Sequence, residues 1–178
     1  MAPQSNYFEL FGLPESFDID PVALASAYQT LQTEFHPDRY ASADAATRRA
    51  SVEQAALINA AYQTLKDPLR RGFYLLELAG HPVTAEHHTI KDGAFLMKQM
   101  EYRERLDEVE ESDDPLAAVD RLRDDLAVEE SALTEAFKSA WAQRDFESAL
   151  DHLTKWQFFG RIKSQLEETE AALEDRLL

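Results

Sequence analysis

The sequence predicts an all-α fold, and three observations carry that prediction. Apolar residues recur at spacings of three and four along most of the chain, the period of amphipathic helices. Only 5 of the 178 residues are Gly and 7 are Pro, too few for a turn-rich β fold. Several prolines follow an Asp or His between periodic stretches, where they close one helix and open the next. A hydrophobic share of 44% supplies a core, which argues against wholesale disorder.

The elements run as follows along the chain. Tyr7–Phe11 is short and apolar, and Gly12-Leu13-Pro14 breaks it, so one or two helical turns are expected. Asp20 is a good N-cap and Pro21 a good first helical residue. Leu24, Tyr28, Leu31 and Phe35 then form one stripe. That helix stops at His36-Pro37, because a residue before proline avoids helical dihedrals. The Ala/Ser-rich stretch 39–47 reads as a loop. A second long helix is expected from about Arg48 to Lys66, with Ala55, Ile58, Tyr62 and Leu65 inward. Asp67-Pro68 interrupts it, and Leu69, Phe73 and Leu76 continue as a short helix ending at Gly80. These elements make a first domain over residues 1–78, and 79–91 reads as a linker.

Residues 92–178 carry three longer patterns. One spans about Asp92 to Glu110. The second carries Val119, Leu122, Leu126, Leu133, Phe137 and Ala140; the third carries Phe146, Leu150, Leu153, Phe159, Ile162, Leu166, Leu173 and Leu177. Short connections at 112–115 and 143–145 predict an antiparallel three-helix bundle. Trp141 and Trp156 are expected in its core.

Charge and composition exclude several functions. The net charge is −16, and residues 79–178 hold 24 of the 34 acidic residues. Such a field opposes non-specific binding to nucleic-acid backbones. No apolar run approaches the roughly 20 residues of a membrane helix. The N-terminus lacks the pattern of a signal or transit peptide, so a cytoplasmic location is expected. With no cysteine there is no disulfide, thiol nucleophile or thiolate metal site. His81, His87, His88 and His152 have no ligand spacing, so they read as solvated linker and no metal or cofactor is expected. No serine stands in a nucleophile elbow, so no catalytic residue is assigned and the chain is not expected to be an enzyme.

His36-Pro37-Asp38 is a weak signal as a bare tripeptide. Its context is stronger. It lies between two amphipathic helices, behind a short apolar opening helix. Together with Tyr7-Phe8-Glu9-Leu10-Phe11-Gly12-Leu13 and Asn59–Leu65 before Asp67-Pro68, it resembles the J domain of heat-shock co-chaperones, from Tyr7 to Phe73. The resemblance implies that His36, Pro37, Asp38 and the adjacent Arg39 meet an ATPase chaperone and speed its ATP hydrolysis. J domains usually carry Lys or Arg on the helix before the tripeptide. Residues 21–35 carry none here, so electrostatic steering should be weak or rest on Arg39, Arg48 and Arg49.

A second signal lies in the first bundle helix. At 100° per residue, Phe95, Gln99, Tyr102, Leu106 and Val109 share one face, within about 40° of a common direction. Leu96, Met97, Met100, Glu101, Glu104 and Glu108 fall opposite. Geometry alone leaves two readings: an adaptable binding surface with an acidic rim, or a wide stripe that the bundle covers. The stretch Asp92–Glu101 and Arg103–Glu108, with Tyr74–Leu78 and His88-Thr89, resembles the HscB (Jac-type) co-chaperones of iron–sulfur cluster biogenesis. The absence of cysteine resembles the bacterial form without a zinc module.

That resemblance implies an L-shaped molecule, with a J domain joined to the bundle. It implies two partners, an HscA-type ATPase chaperone and an IscU-type scaffold. Leu96, Met97, Met100, Glu101, Glu104, Glu108 and Phe158 would meet the scaffold, while Phe159 keeps register with the core. A general J protein that delivers unfolded clients is the alternative. Such proteins usually add Gly/Phe-rich and β-sandwich client segments, and this chain has neither.

Overall fold

The computed structural model describes residues 6–82 and 92–177, and among them there are helices and no strands. The chain divides into two compact units, Met1–Pro82 and Val83–Leu178. Most of the expected linker, including His87 and His88, lies outside the described residues. No helix among the described residues is long and apolar enough to cross a membrane.

The first unit contains α1 (Tyr7–Leu10), α2 (Pro21–Glu34), a 3-10 turn (Pro37–Tyr40), α3 (Ala45–Lys66) and α4 (Pro68–Leu78). Phe8, Phe11, Phe17, Leu24, Ile58, Leu65, Leu75 and Leu76 form its core. α2 and α3 pack as a hairpin. Tyr28 stacks on Tyr62 with centroids 4.0 Å apart, and its hydroxyl donates to Asn59 Oδ1 at 2.9 Å. Of the expected α2 stripe only Leu24 is fully buried; Tyr28, Leu31 and Phe35 are half-buried. Tyr7 stacks on Tyr74, and the Tyr7 N–H donates to the Tyr74 hydroxyl at 2.9 Å.

Two local expectations need correction. α3 begins at Ala45, not Arg48, because the Asp44 carboxylate accepts the Ala46 and Thr47 N–H groups at 2.9 and 3.0 Å. In α4 the buried positions are Arg71, Gly72, Leu75 and Leu76, while Leu69 and Phe73 are half-buried. Arg71 is buried because it completes an interrupted helix. The break at Asp67-Pro68 frees the Leu65 carbonyl, and Arg71 Nη1 donates to it at 2.9 Å. Its guanidinium also lies over the Phe17 ring, 5.1 Å from the centroid.

The second unit contains α5 (Gly93–Asp107), a 3-10 turn (Val109–Glu111), α6 (Pro115–Ala142) and α7 (Phe146–Leu177). α5 therefore ends before the expected Glu110, and the tightened turn carries Val109 into the core. Ion pairs show successive helices running antiparallel. Lys98 meets Glu129 and Arg105 meets Asp125, while Lys163 meets Glu130 and Arg123 meets Glu170. The core joins Phe95, Tyr102, Val109, Val119, Leu122, Leu126, Phe159, Ile162, Leu166 and Leu173. Trp156 is buried, but Trp141 is half-buried at the α6–α7 turn, between Phe137 and Phe146. His152 is not linker; it lies half-buried on α7 with Nδ1 unpartnered.

The α6–α7 turn predicts a stabilising change. Asp145 N–H reaches Ala140 O at 3.0 Å and Arg144 N–H reaches Trp141 O at 3.0 Å, which is a Schellman closure. Arg144 sits at its left-handed position with φ 58°. Glycine removes the Cβ strain there, so Arg144→Gly should stabilise the unit by about 1 kcal/mol. Tryptophan fluorescence should show a melting temperature about 4–8 °C higher. A lower value would contradict the strain.

His152 predicts a pH dependence. Burial holds its imidazole below the ordinary 6.5; Asp151 and Asp145 oppose that shift and Lys155 adds to it. The unfolded chain then binds this proton more readily, so stability present above pH 6.5 declines as pH falls. The bundle's urea midpoint should drop between pH 7 and 5.5. Carboxylates held low, such as Asp92 and Asp145, titrate below that window. His152→Gln should flatten the drop, and an unchanged slope would refute its origin in His152.

Candidate functional site

The first site is the corner between α2 and α3. His36 is extended, with φ −61° and ψ 127°, and caps the 3-10 turn. Its Nδ1 accepts the Asp38 N–H at 3.3 Å, and its carbonyl accepts the Arg39 N–H at 3.0 Å. An accepting Nδ1 leaves the neutral imidazole's proton on Nε2. Asp38 Oδ2 lies 3.6 Å from His36 Nδ1, with the Asp38 side chain 91% exposed and that of His36 56% exposed. The pair therefore forms a small polar tip in water.

Two side chains of the turn fasten it to α2. Arg39 Nη1 donates to Thr33 O at 3.2 Å, and the Tyr40 hydroxyl donates to Glu34 O at 3.3 Å. Both acceptors belong to the last helical turn, whose carbonyls lack partners within the helix. A cation there also complements the helix dipole. Gln32 Nε2 donates to the Tyr28 hydroxyl, extending the tie to Asn59 across the hairpin. The sequence does not single out Tyr40 or this tie, because both depend on how the turn folds back.

The second site is the outer face of α5. Asp92 caps the helix, accepting the Phe95 N–H at 3.1 Å. Lys155 holds the same carboxylate at 2.8 Å, and these contacts keep Asp92 below its ordinary pKa. Phe95 packs edge-on against Phe158 and Phe159, and Tyr102 against Phe159. Burial, with Glu129 alongside, pushes the Tyr102 phenol up to about 12, so it stays neutral at the core edge. Lys98 and Arg105 tie the α6-facing flank to Glu129 and Asp125.

With one face fixed, the opposite face is free. Leu96, Met97 and Met100 are 49%, 74% and 72% exposed. Glu101, Glu104 and Glu108 are exposed beside them. The bundle does not cover this face, so the wide-stripe reading fails. Phe158 is half-buried at the edge of the core, and Phe159 lies within it. The two sites lie on different units. Among the described residues no group of three or more His, Asp or Glu is placed to hold a metal ion.

Known proteins resemble this chain in sequence and fold. The chain is 42% identical to a co-chaperone protein HscB homolog of Aeromonas hydrophila over 168 residues, covering 94% of this chain and 98% of that protein. The chain belongs to the HscB co-chaperone family. The model of the HSCB C-terminal oligomerisation domain matches residues 91–167. The structure of chaperone HscB from Vibrio cholerae matches with a TM-score of 0.84 at 41% identity, covering 98% of this chain and all of that one. The crystal structure of human co-chaperone protein HscB gives a TM-score of 0.87 at 32% identity, covering 96% and 84%. In this HscB-family protein the first unit is the J domain, with the His36–Asp38 corner at its tip. The α5 face lies in the C-terminal helical bundle.

The fastening of the corner is testable. Each lost hydrogen bond weakens local closure by about 1 kcal/mol. Arg39→Ala combined with Tyr40→Phe should speed amide exchange at Arg39, Ala41 and Ala43 by tenfold or more. The global unfolding midpoint should barely move. Unchanged exchange would show that the corner holds without these two side chains.

Proposed function

We propose that this protein is a cytoplasmic J-type co-chaperone of iron–sulfur cluster assembly. It binds an IscU-type scaffold with its bundle and brings it to an HscA-type ATPase chaperone, whose ATP hydrolysis its corner stimulates. The protein supplies no catalytic group of its own; hydrolysis takes place on the partner.

One observation carries the reading: Leu96, Met97 and Met100 are exposed on a helix whose other face is packed. A monomer gains nothing by showing them to water. Flexible methionines adapt to a partner surface, and the rigid backbone under them loses little entropy on binding. Glu101, Glu104 and Glu108 form an acidic margin that suits a basic, partly apolar partner. Phe158 supplies an aromatic edge next to Phe95. At the other site, His36, Pro37, Asp38 and Arg39 offer the ATPase chaperone a tip held by backbone and side-chain bonds. Holding both partners on one chain raises the scaffold's effective concentration at the chaperone.

The experiment measures the chaperone's ATP turnover with this protein, with and without scaffold. His36→Gln should abolish stimulation and leave scaffold affinity intact. Leu96, Met97 and Met100 changed together to Ala should weaken scaffold binding at least tenfold. That triple variant should keep its stimulation in the absence of scaffold. If wild-type protein gives no stimulation, the co-chaperone reading fails. If both variants lose the same activity, the two-site reading fails.

A further inference from the structure

Sulfur is scarce in this chain, and it is gathered in one place. There is no cysteine, and the methionines are Met1, Met97 and Met100. Beyond the first residue, both sulfurs lie on α5, on the face that the bundle leaves uncovered. Met97 is 74% exposed and Met100 is 72% exposed. Three residues apart on one helix, they project within about 60° of each other.

This placement decides their chemistry. Methionine is a common target of oxidation, and a sulfur in water is reached directly by a dissolved oxidant. No thiol in the chain competes for it. The tryptophans are better sheltered: Trp156 is buried and Trp141 half-buried. Glu101 and Glu104 are exposed one turn on from Met97 and Met100. Carboxylates repel anionic oxidants and leave neutral hydrogen peroxide unimpeded. Neither methionine supports the fold, since α5 is packed through Phe95 and Tyr102 on its other face. A polar product at 97 and 100 therefore stays in water and leaves the core intact.

We propose that Met97 and Met100 form a paired, reversible sulfoxidation site, and that hydrogen peroxide acting there disconnects the scaffold. The second half rests on the scaffold-docking reading above. The step balances with peroxide alone. A sulfur lone pair attacks one peroxide oxygen, and the O–O bond breaks as the S–O bond forms. The departing hydroxide takes the proton of the transferred oxygen and leaves as water. Sulfur loses two electrons and the peroxide gains them. A thiol-dependent sulfoxide reductase reverses the change: two thiols become a disulfide and the oxygen leaves as water.

The consequence follows from hydrogen bonding. Oxidation turns a flexible apolar group into a polar one whose oxygen seeks donors. Ionised Glu101 and Glu104 only accept, so they cannot satisfy it. In the free protein water can, as can Arg103, exposed one turn beyond Met100. Docking an apolar surface expels that water and leaves sulfoxide oxygen unpaired, which opposes binding. Leucine would offer similar apolar area without this sensitivity.

The test treats the full chain with hydrogen peroxide, removes the peroxide, and then measures scaffold affinity. Peptide mass spectrometry should find one added oxygen on each of Met97 and Met100. Helix content and melting temperature should not change, while scaffold affinity falls tenfold or more. A methionine sulfoxide reductase with thiol should restore it. Stimulation of the ATPase chaperone without scaffold should persist throughout. Met97→Leu/Met100→Leu should bind scaffold before and after peroxide alike. Full affinity in the doubly oxidised protein would overturn the proposal, as would an equal loss in the leucine variant. The triple alanine variant at 96, 97 and 100 separates the two readings. If it loses the scaffold while the oxidised protein keeps it, docking stands and this inference falls. If it binds as wild type does, the docking reading itself falls.

Discussion

At four points among the described residues a non-helical residue precedes a proline, and its side chain takes a backbone N–H of the helical turn beyond it. Asp20 accepts from Val22, Asp67 from Arg70 and Asp114 from Ala117. His36 accepts from Asp38. The physics is common to all four. Proline forces the preceding residue out of the helical region and needs no N–H partner at the first helical position. The capping side chain satisfies one of the donors left free. Three of these junctions set where α2, α4 and α6 begin. The fourth is the corner itself. The tripeptide at the tip is thus the same device as the structural junctions, with an imidazole in place of a carboxylate. Because the imidazole caps only a short turn in water, it keeps a second nitrogen available.

This explains how an exposed tip can be ordered. A loop of that composition would ordinarily sample many conformations, and each ordered backbone residue costs about 1–2 kcal/mol. Here the cost is offset locally by the cap at His36 and by Arg39 and Tyr40 on the α2 carbonyls. The stack of Tyr28 on Tyr62 ties the two long helices together behind it. The bundle solves the corresponding problem differently. α5 is pinned by Phe95 and Tyr102 in the core, with Val109 of the turn after it, and by Lys98 and Arg105 along its flank. Its outer residues need not pack, so three apolar side chains stay exposed on a fixed backbone.

Whatever depends on period and caps is legible in the sequence. The face of α5 can be drawn residue by residue, because fifteen residues of one helix keep a 100° step. Phe159 separates from Phe158 by its register with Ile162 and Leu166. The start of α3 is hidden because residues 44–50 are all exposed, so no apolar period exists there. The usable sign is Asp44 as a cap. The burial of Arg71 is not legible, since it depends on a carbonyl freed six residues earlier. Nor is the hold of Arg39 and Tyr40 on α2, which exists only once the turn has folded back.

Charge gives the two sites different characters. In the bundle, Lys98, Arg105, Arg123, Lys155, Lys163 and Arg176 each meet a carboxylate. These six are engaged within the unit, while Arg103, Arg121, Arg144 and Arg161 stay exposed, as do Glu101, Glu104 and Glu108 around the apolar face. At the corner of the J domain exposed charges of both signs stand close together, Arg48 and Arg49 on α3 and Glu34 and Asp38 on the α2 side and the tip. A basic, partly apolar surface is therefore favoured at the acidic margin of α5 and opposed by Arg48 and Arg49 beside the corner. Under the proposed two-partner reading, this difference in charge would contribute to discrimination between the partners as well as to affinity.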